Sequence, residues 1–259
     1  MTITGEDHGV LLIHGAWHGP WCWDAFAARL AARGHEVHAV RLRGHDQSGR
    51  RNWHRFRHYL EDVQRAAERF ADPPVLVGHS MGGLLAQRYA QHHPAHAVVL
   101  LASLPPGSAI RVAARLAVRH PLAMGNATLR LRLKPLVATR AKTRAMFFTG
   151  DTPQAIVDDC QAKLQDESYL ALLDMLVPPA RRLEVRAPVL VLGASSDAII
   201  SADVVRRTAR AYDTQAELFD GMGHHMLLDA GWERVADRVH AWVRGVATPP
   251  AEHDTPTGS

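Results

Sequence analysis

The sequence predicts an α/β fold: a mostly parallel, doubly wound sheet with an inserted helical cap. Three features predict it. Short Val- and Leu-rich runs recur along the chain, each bounded by Gly, Pro or polar residues, as strands buried on both faces require. Amphipathic stretches lie between them, and that alternation gives parallel strands joined by right-handed crossovers. One long stretch, Pro105 to about Arg182, breaks the rhythm with helix-like pieces and no clear strand.

Taken in order, Val10–Ile13 is the first strand, ending at His14-Gly15. Trp23–Arg33 is amphipathic and stops at Gly34, where a C-cap glycine would sit. Val37–Val40 is the second strand, followed by the turn-like Arg43-Gly44-His45-Asp46. Phe56–Phe70 is helical and ends before Asp72-Pro73-Pro74. Val75–Val77 stops at Gly78, and the helix Gly83–His92 stops before Pro94, which cannot continue it. Ala97–Ala102, Val189–Leu192 and Ala216–Phe219 complete the strands, and Trp232–Arg244 is the last helix. The chain thus divides into a core at 1–104 and 183–246, a helical cap at 105–182, and a Pro- and Thr-rich tail at 247–259, expected to be disordered.

Composition sets the class. The chain has 259 residues, 47% hydrophobic and 22% charged, which is ordinary globular composition with room for a large core. Two cysteines, Cys22 and Cys160, make no disulfide framework and fit a reducing compartment. The stretch Met1 to Gly9 is polar, and no apolar run nears the roughly 20 residues of a membrane span, so a cytoplasmic location is expected.

The strongest chemical signal is Gly78-His79-Ser80-Met81-Gly82-Gly83. It follows a strand and opens a helix, the setting of a nucleophile elbow. A sharp turn lifts the Ser80 hydroxyl above the sheet, flanking glycines leave room for neighbouring backbone, and the helix N-terminus faces a developing oxyanion. Serine needs a base and an orienting acid. Asp197, after the strand Val189–Leu192, and His224, after Ala216–Phe219, follow in the required chain order and would emerge at the edge where Ser80 sits. Asp203 and Asp220 compete with Asp197; Asp203 reads as a helix-start residue. His225 competes with His224, but adjacent side chains point apart. The loop His14-Gly15-Ala16-Trp17-His18-Gly19 follows the first strand and supplies the second oxyanion donor: the backbone N–H groups expected there are those of Ala16 and Met81, with His14 bracing the loop. Gly15 and Trp17 are the expected substrate-binding residues; Trp21, Phe147, Phe148 and Met175 are further apolar candidates.

Across most of the core, the His14–Trp23 stretch, the elbow and the Gly221–Asp229 segment resemble the α/β-hydrolase superfamily, in the branch of plant methylesterases, hydroxynitrile lyases and related bacterial esterases. The resemblance implies an α/β-hydrolase fold and ester chemistry. Hydroxynitrile lyases carry Thr where this chain has Gly15, and Lys after the catalytic His where this chain has His225, which favours hydrolysis. Ser80 stands where dehalogenases and epoxide hydrolases carry Asp.

The expected activity is therefore a Ser80–His224–Asp197 carboxylic ester hydrolase for a small to medium hydrophobic substrate, with no metal or organic cofactor in the reaction. A biosynthetic thioesterase, lactonase or acyltransferase, a triad-based lyase and a slow-turnover ligand receptor are the alternatives. Net charge is +4, but Pro105–Gly150 holds nine basic residues and no acid, leaving the rest near −5. That stretch would attract an anionic substrate, or it pairs with the acids Asp151, Asp158, Asp159, Asp166, Glu167 and Asp174 that follow. No binding motif accompanies the charge, so nucleic acid is not an expected partner. Oligomeric state is open.

Overall fold

The computed structural model describes residues 8–46, 48, 52–178 and 184–246. The expected tail at 247–259, the start of the chain and the cap boundary at Arg182 lie outside the described residues. Six strands, β1 (Val10–Ile13), β2 (Val37–Ala39), β3 (Val75–His79), β4 (Ala97–Leu101), β5 (Val189–Ala194) and β6 (Ala216–Phe219), form one sheet in the order β2-β1-β3-β4-β5-β6. Every pairing between these strands is parallel.

The apolar runs are continuous because both faces are covered, and alternate residues serve opposite cores. Val10, Leu12, Val75, Val77, Val99 and Leu192 pack with α1 (Asp24–Ala31) and α10 (Trp232–Gly245). Leu11, Ile13, Leu76, Leu100 and Val191 pack with α2 (Phe56–Ala67), α3 (Met81–Ala90) and α9 (Ala202–Ala211). Gly34 adopts φ +95° just past α1, the left-handed turn that favours glycine. The residues before α1 fold as a 3-10 turn, Pro20–Trp23, rather than as part of the helix.

Strand order reverses direction between β1 and β3, so the loops leaving their C-terminal ends face one crevice. Between β4 and β5 the described residues form five α-helices, α4 (Ile110–Arg119), α5 (Pro121–Arg130), α6 (Arg140–Phe147), α7 (Gln154–Lys163) and α8 (Tyr169–Leu176), with a short 3-10 helix at Lys134–Leu136. No helix among the described residues is long and apolar enough to cross a membrane.

Candidate active site

Ser80 caps α3 directly after β3, with φ +54° and ψ −116°. A side chain held there costs about 1–3 kcal/mol, which the surrounding packing must offset. The glycines explain how the turn is held. A Cβ on Gly82 would sit 2.1 Å from the Ile13 carbonyl oxygen, and one on Gly78 would sit 2.4 Å from that of Gly82. β1, the elbow and α3 therefore touch backbone to backbone.

The three expected chemical residues meet. Ser80 Oγ lies 3.0 Å from His224 Nε2, and His224 Nδ1 lies 2.8 Å from Asp197 Oδ2. The other Asp197 oxygen accepts the backbone N–H groups of Ile199 (2.7 Å) and Ile200 (2.8 Å), which fix the carboxylate. The rivals are elsewhere: Asp203 is exposed and pairs with Arg207 on α9, Asp220 is exposed, and His225 is buried with its ring stacked on His79 and Phe148. The His224 loop is braced by Asp229, fully buried, which accepts Gly223 N–H at 2.5 Å and the Thr149 hydroxyl of the cap at 3.1 Å.

The loop after β1 folds against the elbow. A Cβ on Gly15 would lie 3.1 Å from that of Ser80, so glycine permits this approach. Met81 is the first residue of α3, where a backbone N–H has no intrahelical acceptor. His14 donates through Nδ1 to the Gly15 carbonyl at 2.9 Å. Trp17 is held at φ +66°, and its ring packs against Phe147 of α6 at 5.9 Å between centroids. Phe147 in turn lies nearly parallel to His224 at 6.1 Å. Phe147 thus lies beside His224 and Trp17 packs on Phe147, whereas Trp21 packs beside His18 and Lys163, and Met175 lines an outer groove of about 400 Å³ with Leu84 and Arg88. That groove contains none of the triad residues.

Glu167, one of the acids expected to pair with the basic stretch, is 1% exposed and pairs with none of its arginines. Its Oε1 accepts Tyr59 O–H and Ser168 N–H, both at 2.7 Å, while Oε2 accepts Trp17 N–H at 3.2 Å and pairs with His45 Nε2 at 3.0 Å. Trp17 also accepts Gln165 N–H through its carbonyl at 2.9 Å, so the cap grips both sides of this residue. Burial works against both charges, yet the charge and hydrogen bond of each partner prevail: the Glu167 carboxyl is held below its ordinary range and the His45 imidazole above. Behind the triad the opposite holds. Burial drives His14, His79 and His225 well down and His18 down to about 3, so these rings are neutral.

The basic stretch is partly absorbed in pairing with the acids that follow it. Arg132 pairs with Asp166 and Arg140 with Asp158, and Arg144 is bound to the Thr149 and Thr152 carbonyls. Arg119 reaches across to the Ala198 carbonyl beside Asp197.

Residues 10–238 match the model of the Alpha/beta hydrolase family. The chain belongs to this family. A pyrethroid hydrolase of Sphingobium wenxiniae is 38% identical over 96 residues, covering 36% of this α/β-hydrolase and 33% of that protein. Methylesterase 10 of Arabidopsis thaliana is 39% identical over 82 residues, 30% of each chain. These matches span about a third of the relatives' length. A monoacylglycerol lipase of Mycolicibacterium smegmatis is 25% identical over 90% of this hydrolase and 87% of its own length. Among solved structures, an extracellular alpha/beta-hydrolase from a Paenibacillus species superposes with TM-score 0.71 at 18% identity, covering 90% of this chain and 97% of that one.

Proposed function

We propose that this α/β-hydrolase cleaves carboxylic esters through an acyl-enzyme on Ser80. The observation that carries the reading is the unbroken relay from Ser80 Oγ through His224 to Asp197, at 3.0 and 2.8 Å. Ser80 attacks the ester carbonyl as His224 Nε2 takes its proton. Asp197 accepts the Nδ1 proton, fixes the tautomer and stabilises the imidazolium. The N–H groups of Ala16 and Met81 receive the oxyanion. His224 then protonates the departing alkoxide and takes a proton from water as that water's oxygen adds to the acyl carbon; the acyl–Oγ bond breaks, His224 returns the proton to Ser80 Oγ, and the acid leaves.

The substrate class is a neutral, hydrophobic ester of small to medium size. Phe147 sets an apolar ring beside His224 with Trp17 packed on it, and the relatives are named for ester hydrolysis: a pyrethroid hydrolase, methylesterases and a monoacylglycerol lipase. The pairing of Arg132 and Arg140 with cap acids leaves less free charge to attract an anion. Hydrolysis is favoured over lyase chemistry because the residue after His224 is His225, not a lysine, and its ring is packed on His79 and Phe148. A test is to quench the reaction with a slowly deacylating p-nitrophenyl ester and map the adduct by mass spectrometry. One acyl group on the Ser80 peptide, with a stoichiometric burst, is expected; turnover with an adduct elsewhere overturns the reading.

A further inference from the structure

Beneath the triad lies a cluster that the ester chemistry does not use. His18 ends the loop after β1, Cys160 lies on α7 of the cap, and His225 follows His224. All three are buried, and one donor atom from each lies within 4.8 Å of the others. Cys160 Sγ is 3.9 Å from His18 Nε2.

The His18 ring is aimed. The Ala16 carbonyl, 2.7 Å from Nδ1, can only accept, so Nδ1 carries the proton and the Nε2 lone pair faces the sulfur. Metal-ligating histidines are commonly held this way, with the other ring N–H on a carbonyl. His225 supplies an independent observation. Both its ring nitrogens are buried with no hydrogen-bond partner, although one of them bears a proton in either tautomer. Such an orphan is rare in a native interior and calls for an occupant. Its ring stands nearly perpendicular to that of His18, 4.6 Å away.

We propose that His18, Cys160 and His225 bind one thiophilic transition-metal ion of the Zn²⁺ class, separate from the reacting groups. Two imidazoles and a thiolate are the donors such an ion selects. With bonds of about 2.0–2.1 Å to nitrogen and about 2.3 Å to sulfur, two nitrogens and a sulfur around one tetrahedral ion stand roughly 3.3–3.6 Å apart. The 3.9 Å sulfur–nitrogen pair is close to that spacing already. Binding forms a metal–sulfur bond and releases the Cys160 thiol proton to solvent; both imidazoles bind neutral, and no redox change occurs. The ion would tie together the loop carrying Ala16, the cap and the loop carrying His224.

The test is titration of the full chain with Co²⁺, read by the thiolate-to-metal charge-transfer band, which surface histidines cannot produce. One equivalent should develop the band, and Zn²⁺ should displace it. Cys160→Ser should abolish it and Cys22→Ser should keep it. His225→Phe, which retains the thiol, should weaken Co²⁺ binding by more than about tenfold. Zn²⁺ should raise the Tm of the native chain and not that of Cys160→Ser. No band in the folded native chain, or an unchanged band in Cys160→Ser or His225→Phe, overturns the proposal. The readout does not depend on ester turnover, so it stands or falls apart from the proposed function.

Discussion

Glu167→Gln tests how the cap positions the loop beside Ser80. The substitution preserves size but converts one acceptor oxygen into an NH₂ donor. Oε1 faces Tyr59 O–H and Ser168 N–H, and Oε2 faces Trp17 N–H and His45. Whichever way the amide turns, one backbone N–H meets another donor. Losing a buried acceptor costs about 1–3 kcal/mol, and breaking a buried ion pair about 3–5, so the expected destabilisation is about 3 kcal/mol. The pH dependence has a definite sign. Glu167 is depressed, so its contribution is present above the ordinary value of about 4.3 and is lost as pH falls through the folded value. His45 is raised, so its contribution is complete below about 6.5 and is lost as pH rises through the folded value. The stability difference between native and variant chains should therefore peak between about pH 4.3 and 6.5 and narrow on both sides. Without its acceptor, the Trp17 peptide can relax from φ +66° and carry Ala16 with it, and kcat should fall about tenfold with KM little changed. Urea unfolding from pH 4 to 9 and ester kinetics check both effects. A pH-independent difference below about 0.5 kcal/mol, with unaltered kcat, would show that Glu167 does not hold the loop beside Ser80.

Other perturbations follow from the same geometry. Asp197→Asn should leave the fold intact but lower kcat by about 10⁴, since the amide favours the wrong tautomer of His224; steady-state kinetics with circular dichroism as a control checks it. Gly82→Ala places a methyl 2.1 Å from the Ile13 carbonyl oxygen, and about 3 kcal/mol or more of stability should be lost in denaturant melts, outweighing the gain of about 1 kcal/mol in helix propensity. An anionic ester and its neutral analogue should show the same, nearly flat kcat/KM from about 50 to 500 mM salt; a steep fall confined to the anionic ester would instead reveal electrostatic attraction of an anionic substrate.

The strands and the elbow were legible because their signals are local. Continuous Val/Leu runs give strands buried on both sides, and strand β3, the glycines and Ser80 lie within nine residues of sequence, Val75 to Gly83. Strand ends were less legible: β3 continues through His79 and α3 begins at Met81, because Ser80 turns the chain more sharply than an ordinary loop. Asp203 could be set aside from sequence as a helix-start residue, and it does lie in the first turn of α9, paired with Arg207. Glu167 could not. Beside Asp166 it looks solvated, and only the folded contacts with Tyr59, His45 and Trp17 bury it. His18, Cys160 and His225 are likewise unremarkable as isolated residues; they converge only when the cap closes on the core.

If Ser80 is the nucleophile of an ester hydrolase, removing its hydroxyl must remove turnover. Paired kinetics of the native chain and Ser80→Ala on p-nitrophenyl esters of graded acyl length measure this. Native turnover with a loss of about three or more orders of magnitude in Ser80→Ala is the predicted result, and the acyl-length optimum then sizes the space beside Trp17 and Phe147. An inert native chain, or equal rates from both proteins, would contradict it.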